Sequence, residues 1–219
     1  MSEFYKRILS SLLLLPLTFF FIYKGNFIFI LCILIIFIIS LYEWFKLSLN
    51  KSIFIIGFIF LIFSFFSLYK IRFININDNI NIFTIFFILI VCISTDIGGY
   101  IFGKLINGPK LTKYSPNKTY AGSIGGILLS IILSQIYINK FNYLISIKIE
   151  FSYSLYFFVL MISIISQLGD ITISVLKRKK NLKDTGKLIP GHGGLLDRVD
   201  GMIFVFPLVY LLNLYNFFI

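Results

Sequence analysis

FIFILCILIIFIISLY, Phe27 to Tyr42, runs for sixteen residues without a charge, an amide or a proline. About 17 to 25 such residues, at 1.5 Å of rise each, cross the roughly 30 Å of hydrocarbon in a bilayer. Six further stretches read the same way. Together the spans are approximately Ile8 to Tyr23, Phe27 to Tyr42, Ile53 to Tyr69, Ile80 to Thr95, Gly122 to Ile138, Phe151 to Leu168 and Met202 to Ile219. The composition agrees: 58% of the 219 residues are hydrophobic and 27 are Phe, more than a water-soluble core of this size would use. The expected fold is therefore all-α, a polytopic helical membrane bundle of about seven transmembrane helices. The first two spans, separated only by Lys24-Gly25-Asn26, read as a helical hairpin. Lys6-Arg7 before the first span suggests a secretory signal, but no small-x-small cleavage site follows, so that span is read as a retained anchor. Cys32 and Cys92 lie inside spans and imply no disulfide.

The net charge of +11 would suggest nucleic acid in a soluble protein. With a cytoplasmic N-terminus, seven crossings place fifteen of the twenty Lys and Arg on the inside, in residues 1–7, 43–51, 96–121 and 169–201. Topology thus absorbs the basic excess, and the expected partner surface is anionic lipid, with no nucleic acid. The chain reads as one membrane domain, with N-terminal helices over residues 1–93 and a catalytic part over 94–219. Within the first part, ININDNINI at Ile74 to Ile82 is a compositionally biased connecting loop without site chemistry.

Polar chemistry collects in two inside segments, Ser94 to Gly126 and Gln167 to Gly201, which hold five of the nine carboxylates. Asp96 ends the fourth span and reads either as an interfacial marker or as a group facing a polar cavity. Gly98, Gly99 and Gly103 after it would allow close helix approach. SPNKT, Ser115 to Thr119, stands before the fifth span. Ser115, Lys118 and Thr119 there supply hydroxyls, a cation and a helix N-terminus suited to phosphate, although Ser-Pro is also ordinary turn chemistry. In the second segment Asp170, Ser174 and Lys177 are spaced i, i+4, i+7 and share a face if the sixth helix outruns the membrane. Lys177 to Lys180 is also a common juxtamembrane basic cluster.

Beyond Lys183-Asp184, the run from Gly186 to Gly201 is glycine-rich. Pro190, Gly191, Gly193 and Gly194 permit a backbone loop whose N–H groups cradle an anion, without the order of a Walker A loop. His192, the only histidine, lies between glycines, where acid/base work or phosphate donation competes with a structural role. Asp197 and Asp200, at i, i+3, fall on one face of the helix opening the final span. With Asp170 they form a hard-oxygen set suited to Mg²⁺. Metal, cations and a glycine cradle point to phosphoryl or nucleotidyl transfer on a membrane-borne acceptor.

These residues resemble the signature of the phosphatidate cytidylyltransferases, also called CDP-diacylglycerol synthases. The match runs through SVLKR at Ser174 to Arg178, KD at Lys183-Asp184, Gly186, IPGHGG at Ile189 to Gly194 and LDR-x-D at Leu196 to Asp200. Upstream it includes Gly169-Asp170, SPNKT and TDIGGYIFGK at Thr95 to Lys104. The resemblance covers roughly the C-terminal 125 residues. It implies transfer of CMP from CTP to phosphatidic acid, with pyrophosphate released and Mg²⁺ required, and leaves room for a second cation. It also implies metal binding by Asp170 and Asp197, phosphate contacts by Lys177, Arg178, His192 and Arg198, and support by Asp200. A homodimer in a bacterial inner membrane, active site cytoplasmic, is further implied. Ile173, Ala121 and Gly201 depart from the common pattern and bear on fine substrate or metal geometry. The chain is short for the family, as if one or two N-terminal helices were missing. Two other readings remain: a CTP-dependent lipid-alcohol kinase, which would lack the full second-segment run, and a transporter, which would carry ionisable groups in mid-span.

Overall fold

The computed structural model describes residues 12, 16–75, 77–113, 115, 118–145, 152–189 and 193–214. Seven of the sixteen residues of the first expected span, 8–11 and 13–15, lie outside these; its second half, residues 16–23, is helical. Gly25 at φ +59° and Asn26 at φ +50° separate it from α1 (Asn26–Leu47). Then follow α2 (Lys51–Phe73), α3 (Asp78–Ile106), α4 (Tyr120–Ile145), α5 (Tyr153–Lys179), the single turn α6 (Leu196–Val199) and α7 (Met202–Leu214). Helices α1 to α5 are long and apolar enough to cross a membrane, and α7 is a shorter apolar helix. The described residues contain no β-strand. The helical membrane fold is as expected; the last five residues of the seventh span lie outside the described residues.

Two expected boundaries are wrong. The segment Ile74 to Ile82 is not a loop throughout, because α3 begins at Asp78. The Asn77 side chain accepts from the Asn79 N–H at 3.1 Å, and Asp78 lies in the first turn, where a carboxylate meets the positive end of the helix dipole. Asp78 also pairs with Arg72 at the end of α2, and Arg72 Nε donates to the Ile22 carbonyl at 3.1 Å. Nor does the fourth helix stop near Thr95. It continues for ten residues past Asp96, so Asp96 is not an end-marker but a carboxylate within a helix whose surface opens to a cavity described below.

Helix α3 is the centre of the bundle: 56% of its apolar window is buried, against 28–33% for the other four long helices. Phe83, Phe87, Ile88 and Val91 on α3 have no exposed surface, and α5 packs Val159 and Ile162, equally buried, into the same core. Lipid tails are as apolar as these side chains, so close packing, not hydrophobic exclusion, must hold α3 to its neighbours. The α3–α4 pair is the most extensive and uses glycine on both sides. A Cβ on Gly98 would lie 2.7 Å from the Gly125 carbonyl oxygen, one on Gly126 2.6 Å from the Thr95 oxygen, and one on Gly122 2.5 Å from the Gly99 oxygen. The two backbones touch, as expected from Gly98, Gly99 and Gly103.

Candidate active site

The C-terminal turns of α1 and α5, the loop before α4 and the turn before α7 meet at one end of the bundle. This unites the two polar segments, as parity of crossings requires. Helix α5 outruns its apolar stretch and carries Asp170, Ser174 and Lys177 up one face. Ser174 Oγ donates to Asp170 Oδ1 at 3.2 Å, and Lys177 Nζ reaches Asp197 Oδ1 at 2.7 Å. Gly169 lets the other wall approach, since a Cβ there would lie 2.8 Å from the Asp200 carbonyl oxygen.

Asp197 and Asp200 do not lie on the helix of the final span. Asp197 is in the separate turn α6, and Asp200 caps it before α7 starts. Two glycines, Gly194 and Gly201, flank the turn, and its short length lets the two carboxylates serve different partners. Asp197 Oδ2 accepts from the Thr185 N–H (2.8 Å) and the Gly194 N–H (3.0 Å), with the Thr185 hydroxyl oxygen 3.1 Å away, while Oδ1 holds Lys177. This carboxylate thereby fixes both ends of the loop. Between them, Ile189 N–H donates to the Gly193 carbonyl at 3.0 Å, with Gly193 at φ +86°, a conformation few other residues adopt. Gly191 and His192, expected in the anion cradle, lie outside the described residues.

The first segment folds back on itself before α4. Leu111 N–H donates to the Lys118 carbonyl at 2.8 Å and Tyr120 N–H to the Pro109 carbonyl at 3.2 Å. Thr119 Oγ1 caps α4 by accepting from the Gly122 N–H at 3.0 Å. These bonds aim Lys118 at α5, where Nζ lies 2.5 Å from Asp170 Oδ2, buried and, among the described residues, with no hydrogen-bond acceptor in good alignment. Ser115, Lys118, Thr119, Asp96 and Asp170 line a cavity of about 290 Å³ between α3, α4 and α5. Its floor is a polar layer across the three helices: Ser123 Oγ donates to Gln167 Oε1, and Thr95 Oγ1 donates to Ser163 Oγ at 2.8 Å.

Charge is concentrated around this cavity. Asp200 is 9% exposed, and its carboxyl is pushed well above the usual range, first by burial and then by the negative charges of Asp170 and Asp96. Lys177 and the Gly201 N–H oppose that shift. Arg198, on the exposed side of α6, acts on Asp96. Arg178, Lys183 and Asp184 are exposed and do not line the cavity, and Arg178 Nη1 donates to the Leu182 carbonyl at 3.3 Å. Asp96, Asp170 and Asp200 repel one another, and all offer oxygen, so the donor chemistry fits a hard divalent cation such as Mg²⁺. As placed, no three His, Cys, Asp or Glu side chains among the described residues converge at coordination distance.

One member of this end was not anticipated. Glu43, at the end of α1, is 3% exposed. Its Oε2 accepts from the Leu196 N–H at 2.7 Å and the Thr185 hydroxyl at 2.8 Å, and its Oε1 from the Leu195 N–H at 3.0 Å. The only signal in the sequence is a lone carboxylate closing an apolar run, the single acidic residue between Glu3 and Asp78.

Comparison with known proteins places this geometry. Residues 52–216 match the model of the cytidylyltransferase family, so the likeness begins in α2, well upstream of the C-terminal 125 residues that carry the motifs. A phosphatidate cytidylyltransferase of Bacillus subtilis (strain 168) is 40% identical over 136 residues, 62% of this chain and 49% of that protein. One of Brucella suis biovar 1 (strain 1330) is 40% identical over 129 residues, 58% of this chain and 46% of its own. One of Staphylococcus aureus (strain COL) is 42% identical over 121 residues, 54% and 44% respectively. The chain spans about half the length of the Bacillus relative, and somewhat less of the other two, yet the matched region contains both polar segments and the cavity they enclose: the chain belongs to the cytidylyltransferase family.

Proposed function

We propose that this chain transfers CMP from CTP to phosphatidic acid, giving CDP-diacylglycerol and pyrophosphate. The observation that carries the reading is that Lys118 and Asp170 line one cavity at the end of a membrane bundle, while Lys177, on the same helix as Asp170, holds Asp197 at that same end. The names of the relatives supply the substrates. In the reaction a phosphate oxygen of the lipid attacks the α-phosphorus of CTP, and the bond to the β-phosphate oxygen breaks as pyrophosphate leaves. The acceptor is already an anion, so no enzyme nucleophile is required.

The chain's part is to let two polyanions approach. Lys118 and Lys177 each lie on a carboxylate, and an arriving phosphate can share the ammonium without a new cation being brought from solvent. Lys118 lines the cavity between α3, α4 and α5, and an acceptor headgroup entering that cavity would meet it. Arg198 is exposed beside the Lys177–Asp197 pair, where a nucleotide would arrive. Asp170 and Asp197 are the residues assigned to Mg²⁺, with Asp96 and Asp200 close enough in charge to assist; bound there, the ion would neutralise triphosphate charge. The motif resemblance alone supports His192 and Gly191 as phosphate contacts, and the homodimer. Charge asymmetry supports a cytoplasmic active site, and the apolar helices with the bacterial relatives support an inner-membrane location.

The test uses purified protein in detergent with Mg²⁺, labelled CTP and phosphatidic acid. The expected products are CDP-diacylglycerol and pyrophosphate, formed only with the acceptor lipid present, and Asp197→Asn should retain about a hundredth of the turnover or less. CDP with a phosphorylated lipid alcohol would identify the kinase instead, and pyrophosphate without acceptor would identify a hydrolase.

A further inference from the structure

We infer that Glu43 is a positioning residue for the nucleotide-side loop, acting through Thr185 and α6 on Asp197 and Lys177. Glu43 lies on α1, outside the matched residues 52–216, and is separated by more than 140 residues from everything it binds. Its two oxygens take three donors, and two of them are the backbone N–H groups of Leu195 and Leu196 at the start of the turn that carries Asp197. The third, the Thr185 hydroxyl, faces Glu43 Oε2 at 2.8 Å and Asp197 Oδ2 at 3.1 Å. One hydroxyl thus couples the two carboxylates.

The fit is tight on every side. A Cβ on Gly194 would lie 2.5 Å from Glu43 Oε2, and one on Gly186 2.5 Å from Oε1, so these glycines leave room for the carboxylate itself. Lys180 Nζ adds a tie from the end of α5 to the Lys46 carbonyl at 2.8 Å. A buried carboxylate is costly to desolvate unless donors surround it, and here all three donors come from the two ends of the glycine-rich loop, at Thr185 and at Leu195-Leu196, with Leu196 itself buried in the core. Glu43 therefore fixes a glycine-rich segment that would otherwise sample many conformations, and with it the oxygen that holds Lys177.

Glutamine is the informative substitution, because it keeps the shape and turns one acceptor into a donor facing an N–H. Two measurements on the full chain test the inference. The first needs no activity: limited trypsin digestion should cut Glu43→Gln after Lys183 and Lys187 about tenfold faster than the unaltered chain, with cleavage elsewhere unchanged. Trp44, the only tryptophan, packs on Gly57 and donates to the Phe54 carbonyl, so unchanged emission shows that α1 still packs on α2. The second rests on the function proposed above: KM for CTP should rise about tenfold while KM for phosphatidic acid stays within twofold. If Glu43→Gln does not fold, Thr185→Val, which removes one bond of the set at equal volume, takes its place with the same readouts. Unchanged digestion, or a loosened loop with KM for CTP unaltered, would overturn the inference. An unaltered chain with no CTP-dependent product would refute the functional reading and leave the digestion result to decide this one.

Discussion

Asp200 is the residue whose environment has the plainest thermodynamic consequence. Burial and the neighbouring Asp170 and Asp96 raise its carboxyl in the folded state, whereas an unfolded Asp titrates near about 3.9. A carboxyl with a raised folded pKa costs nothing while both states are protonated, below the unfolded value. The penalty then grows as pH rises, and it is complete once pH passes the folded value. In a chelator, to keep cations away from the carboxylates, the unaltered chain should therefore lose stability as pH rises above the unfolded carboxyl range toward the raised folded one. Asp200→Asn, which stays neutral, should flatten that loss, so the variant's advantage in Tm should be larger at pH 8 than at pH 5. A variant advantage that is independent of pH would mean Asp200 stays in one protonation state throughout. The residue types at this end were legible in sequence because oxygen donors and cations announce phosphate chemistry. Their pairing was not. Lys177 on Asp197 and Lys118 on Asp170 join residues 20 and 52 positions apart, and spacing alone cannot choose between them.

At the scale of elements, the α3–α4 contact sets the cavity, because its lining comes from both helices. The backbones are close enough that even one methyl group collides: Gly98→Ala meets the Gly125 oxygen and Gly126→Ala the Thr95 oxygen, neither of which can turn aside. Overpacking of this kind costs roughly 1–3 kcal/mol, and here it also separates Asp96 from Lys118. Each alanine variant should lower Tm by several degrees in detergent and reduce turnover at least tenfold, whereas Ile124→Leu, facing lipid on α4, should change neither. Normal activity in both alanine variants would show that the helices can part without cost. The glycines were readable as approach sites, yet the length of α3 was not. A hydropathy scan stops at Asp96, but the helical hydrogen bonds continue through it, and Lys118 and Arg198 supply the charge that lipid lacks. The start of α3 was hidden for a related reason, since ININDNINI reads as a loop until Arg72 and the Asn77 cap give Asp78 its place.

The whole molecule places its reactive groups at one end, and which side of the membrane that end faces is open to a direct experiment. Glu43, Lys118, Asp170 and Asp197 come from four separate stretches and meet there, although only the last three stand in segments that the sequence marks as polar. Fifteen of twenty cations lie in the segments on that side if the N-terminus is cytoplasmic, and moving so many across an energised membrane is strongly disfavoured. Orientation can be read with Cys32 and Cys92 replaced by Ala and single cysteines introduced at Lys113 and Lys183, near the cavity, or at Asn75 and Lys140, at the far end. A membrane-impermeant maleimide applied to intact bacterial cells should label the second pair and leave the first pair unlabelled until the membrane is opened. The reverse pattern would put the cavity outside, away from cytoplasmic CTP, and would overturn the orientation and the proposed reaction together. Labelling of all four sites in intact cells would instead mean that the chain does not cross as α1 to α5 require.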